Sequence, residues 1–358
     1  MNEVQIRKSE LFDDPLRFYN AMINDIRNAK KYIYLETYKY GNDPIGMKFR
    51  DELTKKAKQG VEVKVMIDSW GAYVNKNFFS ELFKYGGELR FFKKINVSIN
   101  FFTKSHRRNH RKLLIIDDTI VYIGSANISN YAIVWREGVL RMENQIAILF
   151  KKLFLDNYAL FNKYFYDKLV ATKIIKYKEY EIIRDVPTTV IQPTKKKYLE
   201  LIKQAKEEII IETPYFLPGS FVRKALIDAA KRGVKVKVIT PKHSDVGIVD
   251  TLRSRYIGDL YRNKVEFIFY LPYNLHAKIF LADNKYFIIG TSNFDYRSFR
   301  FQHEINLFGN NRSIITQIAE HIKGTIADSE AFNYNNWLKR PLIEKFFEWL
   351  FIPFRHFF

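Results

Sequence analysis

The chain of 358 residues contains no cysteine, which excludes disulfide staples, thiolate nucleophiles and cysteine-ligated metals together. Long apolar runs are missing too: none reaches the ~18 uncharged residues of a membrane span, and the opening "MNEVQIRKSELFDDPL" has no core of signal-peptide length. The expectation is a chain that stays on the cytoplasmic side and does not cross a bilayer. Negative charge is also scarce, with 39 Asp and Glu against 59 Lys and Arg and a formal net charge of +20. That imbalance favours an anionic partner, whether nucleic acid, an acidic lipid surface or a phosphate-bearing substrate, and does not choose among them. What is present is otherwise ordinary for a globular chain, 47% hydrophobic and 27% charged, so disordered and fibrous classes are excluded. The length suits two domains of common size.

The chain repeats itself. "HRKLLIIDDTIVYIGSAN" (110–127) aligns without a gap on "HAKIFLADNKYFIIGTSN" (276–293). Both read His-x-Lys, four residues, Asp, six residues, Gly-Ser/Thr-x-Asn. Upstream, "AKKYIYLETY" (29–38) parallels "AKEEIIIETP" (205–214), and "AKQGVEVKVMI" (57–67) parallels "AKRGVKVKVIT" (230–240). Such order at two places marks a duplicated domain.

Each half reads as helix, strand, helix, strand, and then a strand pair around the motif. Apolar residues three and four apart give helices in "LRFYNAMINDIRNAKK" and "GMKFRDELTKKAKQG", the second stopped by Gly60, and β-rich runs follow each. The expected class is α/β: two pseudo-symmetric domains, each a mixed sheet flanked by helices, with one active site shared between them. A helical run from roughly 144 to 171 closes the first half, and "DVPTTVIQPT" with Pro187 and Pro193 reads as the connection. The division is a first domain at 1–184, a linker at 185–196, a second domain at 197–340 and a C-terminal amphipathic segment at 341–358.

Alternation along a strand would put His110 and Lys112 on one face, and likewise His276 and Lys278. Two imidazoles, two ammonium groups and the amides of Asn127 and Asn293 suit a phosphodiester. Negative charge grows on the equatorial oxygens during attack on phosphorus, and cations with amide donors stabilise it without a metal or cofactor. One histidine attacks while the other protonates the leaving alcohol, giving a phosphohistidine that an alcohol or water resolves.

The doubled motif resembles the signature of the phospholipase D superfamily. Within it, "NHRKLLIIDD", "WRE" and "RME" (135–137, 141–143), "ETPYFLP" (212–218), "HSD" (243–245), "LHAK" with "GTSNFDYRSF", and "WLKRPL" are most similar to bacterial cardiolipin synthases of the phospholipase D type. The resemblance covers nearly the whole chain. It implies His110 as nucleophile and His276 as acid and base, an assignment the superfamily leaves open in places. It implies that Glu304 orients a catalytic histidine and that Glu137 does the matching job where synthases usually carry Asp. Asp117 and Asp283 are expected to support the motif's architecture, and Ser125 and Thr291 to assist phosphate binding or orientation.

The activity so implied is a phosphatidyltransferase that makes cardiolipin from two phosphatidylglycerol molecules. A phospholipase D-type hydrolase or a metal-independent nuclease is the alternative, and a non-catalytic basic adaptor a third reading. The partners expected are anionic phospholipid and a membrane surface rather than nucleic acid, with the protein peripheral on the cytoplasmic face of the inner membrane. Oligomeric state is left open. "RPLIEKFFEWLFIPFRHFF" reads either as an interfacial anchor or as a last core helix, its clustered Phe favouring lipid. "KSHRRNHRK" (104–112) reads as a headgroup- or phosphate-capturing loop. His106, His243, His303, His321 and His356 lack metal-ligand spacing and read as structural or surface residues, with His243 of "HSD" the one open case.

Overall fold

The computed structural model describes residues 8–92, 107–163 and 167–357. Two compact units divide it, Met1–Ile133 with Gly138–Tyr166, and Val134–Glu137 with Asp167–Phe358.

The first unit runs β1 (Ser9–Phe12), α1 (Pro15–Asn28), β2 (Tyr32–Thr37), α2 (Pro44–Lys58), β3 (Glu62–Asp68), α3 (Ser80–Lys84), β4 (Glu88–Phe92), β5 (Arg108–Asn109), β6 (Leu113–Ile116), β7 (Ile120–Gly124), β8 (Val139–Glu143) and α4 (Ile146–Ala159). Asp14 and Asp43 cap α1 and α2 by accepting the amides of Arg17 and Gly46, each just ahead of a proline that starts the helix. Gly60, at φ +84°, takes the left-handed conformation that ends α2. Among the described residues the sheet order is β1-β8-β7-β6-β2-β3-β4. β2, β3 and β4 are parallel, whereas β6 joins β2 antiparallel. Both faces are buried. Ile33, Leu35, Val63 and Val65 meet Phe18, Met22 and Ile26 of α1 and Phe49 and Leu53 of α2. On the other face Tyr34 stacks on Phe154 of α4, with ring centroids 5.0 Å apart.

The second unit follows with α5 (Lys168–Ala171), β9 (Ile175–Tyr177), β10 (Tyr180–Asp185), α6 (Pro193–Gln204), β11 (Glu208–Glu212), β12 (Phe216–Leu217), α7 (Ser220–Lys231), β13 (Lys235–Pro241), α8 (Gly247–Arg262), β14 (Val265–Tyr270), β15 (Ile279–Ala282), β16 (Tyr286–Gly290), β17 (Phe294–Asp295), α9 (Tyr296–Arg300), β18 (Gln302–Gly309), α10 (Arg312–Ala327), β19 (Ser329–Ala331), α11 (Tyr334–Leu338) and α12 (Leu342–Phe351). Its strands lie in the order β19-β14-β13-β11-β15-β16-β18-β10-β9. Read from β10 to β14, this repeats the first sheet from β1 to β4 strand for strand, so the sequence duplication is also a duplication of topology. Gly233, at φ +93°, ends α7 as Gly60 ends α2.

The boundaries differ from the sequence expectation. β9 and β10 pair in the second sheet, because β10 matches β18 over six residues from Tyr180↔Gly309 to Asp185↔Glu304. The second unit therefore begins before 184, and the expected linker is held at both ends: Asp185 closes β10 and accepts the Thr194 hydroxyl at the start of α6. The expected helical run at 144–171 is interrupted, since α4 stops at Ala159 and α5 belongs to the second unit.

The motif aspartates act as clasps. Asp117 accepts the amides of Lys30, Lys31 and Tyr32 at 3.0, 2.7 and 3.1 Å, and Asp283 accepts those of Lys206, Glu207 and Glu208 at 2.9, 2.8 and 3.0 Å. Both aspartates have left-handed backbones, φ 52° and 53°. Each ties the turn after the motif strand to the beginning of the neighbouring strand, β2 or β11. Partial burial pushes the Asp283 carboxyl up, and the three amide donors outweigh it and hold the carboxyl below its ordinary range. Such a group stabilises the fold above the ordinary aspartate pKa and loses that contribution as pH falls through its own lower value. Asp283→Ala should cost about 1–3 kcal/mol in denaturant unfolding near neutral pH, and the deficit should narrow in acid; an unchanged midpoint would remove the clasp role.

Candidate active site

In neither unit does the His-x-Lys pair lie within a strand. β6 begins at Leu113 and β15 at Ile279, each one residue after the motif lysine. Strand alternation is therefore not what places His and Lys together. Instead each lysine folds back on its own motif, Lys112 Nζ donating to the His110 carbonyl at 2.7 Å and Lys278 Nζ to that of His276 at 2.6 Å. The four side chains are buried, with 2–7% of their surface exposed.

In the first unit the approach to His110 is fixed from the ends of β2 and β3. Asp68, fully buried, pairs with the Arg108 guanidinium at 2.8 Å and accepts the Asn109 amide at 2.7 Å. Glu36 accepts Asn109 Nδ2 at 2.7 Å and also Asn157 Nδ2 of α4. Burial pushes the Glu36 carboxyl up, against the opposing pull of Arg111 and its amide partners. The basic run was expected to capture phosphate, yet Arg108 is wholly enclosed in this ion pair and Arg111 is buried to 2% exposure. Lys104, Ser105 and His106 lie outside the described residues. Tyr38 packs edge-on to His110, with centroids 5.2 Å apart. Asn127, three residues past the end of β7, turns its Oδ1 to the Lys39 amide at 3.1 Å. Ser125 exchanges hydrogen bonds with Gly138, accepting its amide at 2.8 Å.

In the second unit Glu137 faces His276. Its carboxylate oxygens lie 3.0 and 2.9 Å from Nδ1, and both residues are buried. Glu137 was counted with the first domain; the structure groups 134–137 with the second. Arg136 is the reason. Its carbonyl accepts the His276 and Ala277 amides at 2.7 and 3.2 Å. Its guanidinium donates to Thr325 Oγ1 and the His321 carbonyl, both on α10, at 2.7 and 2.9 Å. His321 in turn bonds Glu212, at the end of β11, at 2.7 Å. A bond from Nδ1–H to a carboxylate fixes the tautomer and leaves Nε2 with its lone pair for chemistry. Burial depresses the His276 pKa, and Glu137 only partly restores it, so the resting imidazole is neutral.

Thr291 donates to Glu304 at 2.5 Å and accepts the Ile305 amide at 2.9 Å, which ties the end of β16 to β18. Asn293 Oδ1 is buried without a hydrogen-bond partner among the described residues. Of "HSD", His243 is exposed. Asp245 is the member that joins the site's surroundings, accepting from Tyr215 at 2.6 Å and Asn274 at 3.2 Å and drawing the His276 and Lys278 pKa values upward. Sequence reasoning missed Glu36, Asp68, Arg136, Glu212 and Asp245 as site supports. All five sit at strand ends or in quoted segments, so the signal was there, but their partners are remote in sequence.

The chain matches the family model described as "Cardiolipin synthase, PLD-like domain" over residues 22–165 and 198–326. It is 30% identical to the major cardiolipin synthase of Bacillus subtilis strain 168 over 90% of this chain and 70% of that one. It is 30% identical to the cardiolipin synthase of Clostridium perfringens strain SM101 over 94% of this chain and 74% of that one. The fold is that of the phosphatidylserine synthase of Haemophilus influenzae Rd KW20, with TM-score 0.79 and 16% identity over 99% of this chain and 94% of that one.

Burial lowers the Lys278 pKa to about 8. Below pH 8 the ammonium is charged in the folded and unfolded states alike, and the fold carries the whole cost of burying it. Between about 8 and 10.5 only the unfolded state keeps the proton, so this cost fades as pH rises. Lys278→Met should therefore unfold at higher temperature than the parent at pH 7, by a margin on the order of 1–3 kcal/mol. The margin should shrink towards pH 10.5 in thermal melts; a destabilised variant at pH 7 would contradict this.

Proposed function

Because this chain belongs to the family of phospholipase D-like cardiolipin synthases, we propose that its phosphatidyl transfer builds cardiolipin from two molecules of phosphatidylglycerol, with release of glycerol. The observation that supports it most is the buried His276–Glu137 pair beside Lys278: an imidazole oriented by a carboxylate next to a cation is what phosphodiester exchange needs and what a retired scaffold has no reason to keep.

In this reading His110 attacks phosphorus of the first phosphatidylglycerol. A P–N bond forms, the P–O bond to glycerol breaks, and the glycerol oxygen takes its proton from His276. The hydroxyl of the second phosphatidylglycerol then gives a proton back to His276 and attacks phosphorus, and the P–N bond breaks. Acting as the acid requires His276 to be protonated, whereas at rest burial keeps it neutral. The negative charge of a bound phosphodiester raises an adjacent imidazole's pKa, so substrate itself would load the proton. Lys112, Lys278, Asn127 and Asn293 stabilise the charge on the equatorial oxygens, and Glu137 and Glu304 orient the two histidines. Phosphate is exchanged between alcohols, so the bond count is conserved and no nucleotide is consumed. The protein works at the cytoplasmic face of the inner membrane, where its substrate lies. Among the described residues no helix is long and apolar enough to cross a membrane.

Purified protein incubated with phosphatidylglycerol vesicles and a chelator should give cardiolipin and glycerol in equal amounts. Phosphatidic acid alone would make the protein a hydrolase, and cleaved DNA without a lipid product would make it a nuclease. His110→Ala and His276→Ala should each lower turnover by about 10³-fold or more, and full activity in either would refute the two-histidine mechanism. The kcat/KM should also fall as pH rises through about 8, where Lys278 of the free enzyme loses its charge, whereas kcat should fall only at higher pH.

A further inference from the structure

α12 is amphipathic with its apolar side outward. At about 100° per residue, Leu342, Ile343, Phe346, Trp349 and Leu350 share one face, and Glu344, Glu348 and Phe351 lie opposite. A helix packed on a soluble domain buries the first set. Here that set is exposed, from 40% at Leu350 to 81% at Leu342, with Trp349 at 63%, while Glu348 is buried to 4%.

The inversion has a cause in the fold. Arg340 Nε and Nη2 donate to the two Glu348 oxygens at 2.8 and 3.0 Å, and the same guanidinium lies 3.8 Å from the centre of the Trp337 ring. Trp337 is anchored on α8, its indole N–H donating to the Ser254 carbonyl at 3.0 Å and its ring covering Gly258, where any Cβ would collide. Phe351 packs against Leu217, Val249 and Leu252. A bidentate guanidinium–carboxylate pair fixes the roll of the helix about its axis, and with Phe351 on the inner side the apolar face can only point outward.

We propose that this face is a membrane-docking surface, and that α12 lies in the interface of an anionic phospholipid bilayer with its axis along the membrane plane. Ten residues rise only about 15 Å, half the ~30 Å of a hydrocarbon core, so the helix lies on the bilayer and does not cross it. Five large apolar side chains on one exposed stripe exceed what a free surface usually carries. Trp is the residue that favours the headgroup boundary. Charge complements an anionic lipid surface: the chain carries +20, exposed Lys339 precedes the helix, and Lys345 flanks the apolar stripe. The inference takes only the kind of partner from the proposed lipid chemistry; the surface itself is read from α12.

The test uses the full chain in flotation with liposomes of equal parts phosphatidylglycerol and phosphatidylcholine. The parent should float, and brominated acyl chains should quench its tryptophan fluorescence. The triple variant Phe346→Ser, Trp349→Ser, Leu350→Ser should bind at least about ten-fold more weakly and lose the quenching, while its turnover on phosphatidylglycerol in detergent micelles stays near the parent's. Circular dichroism checks its fold, and should it misfold, the double variant Trp349→Ser, Leu350→Ser must still weaken flotation. Variant binding equal to the parent's, or a parent that does not float, overturns the proposal, as does a parent dimer that the substitutions split without loss of flotation. Flotation lost on substitution while no preparation makes cardiolipin would leave the docking surface standing and defeat the proposed reaction instead.

Discussion

Lys278 and His276 are basic groups held almost entirely out of water, and the need to make that burial tolerable organises what surrounds them. An isolated buried ammonium or imidazolium is costly. The second unit answers with carboxylates at graded distance: Glu137 touches the imidazole, while Glu304, Asp245 and Asp295 act on Lys278 through space. The compensation is incomplete, since burial remains the largest influence on both groups and both pKa values stay depressed. On the reaction proposed above, a bound phosphodiester would supply the missing negative charge, and the energy withheld from folding would become available to hold it.

The two units solve the same positioning problem with different residues. At equivalent strand ends Glu36 and Glu212 are both buried. Glu36 reaches two asparagines, one of which, Asn109, directly precedes His110. Glu212 reaches His321 on α10, and α10 holds Arg136, whose carbonyl takes the amide of His276. One unit thus braces its histidine through its own preceding residue, and the other through a borrowed segment that also delivers Glu137. By contrast the clasps of Asp117 and Asp283 are the same in both, down to the left-handed backbone. The clasp serves the sheet, which the halves share, and the braces serve the local loops, in which they differ.

Much of this was written in the sequence. The doubled His-x-Lys-x4-Asp with its Gly-Ser/Thr-x-Asn marked the duplication and both buried His-Lys pairs, and strand and helix periods gave the common element order, because each depends on residues within a few positions of one another. The supporting role of the aspartates was legible as well. The strand geometry expected at His-x-Lys was not what the chain adopts, for the strands start just after the lysines. The capture loop at 104–112 was misread at Arg108, whose partner Asp68 is 40 residues upstream. Nor could Arg136 be read as a brace when its contact at Thr325 is 189 residues away.

What the sequence determined by itself, then, is the inventory: a duplicated α/β chain, two His-Lys pairs, an amphipathic C-terminal helix, and a charge balance that asks for an anionic partner. Local order suffices for all of these. What only the tertiary structure decided is environment. Burial sets the Lys278 pKa near 8 and keeps His276 neutral; the Arg136 brace brings Glu137 to His276; and the Arg340–Glu348 pair turns the apolar face of α12 to the outside. Each depends on which distant residues share a desolvated space, and neither spacing nor composition records that.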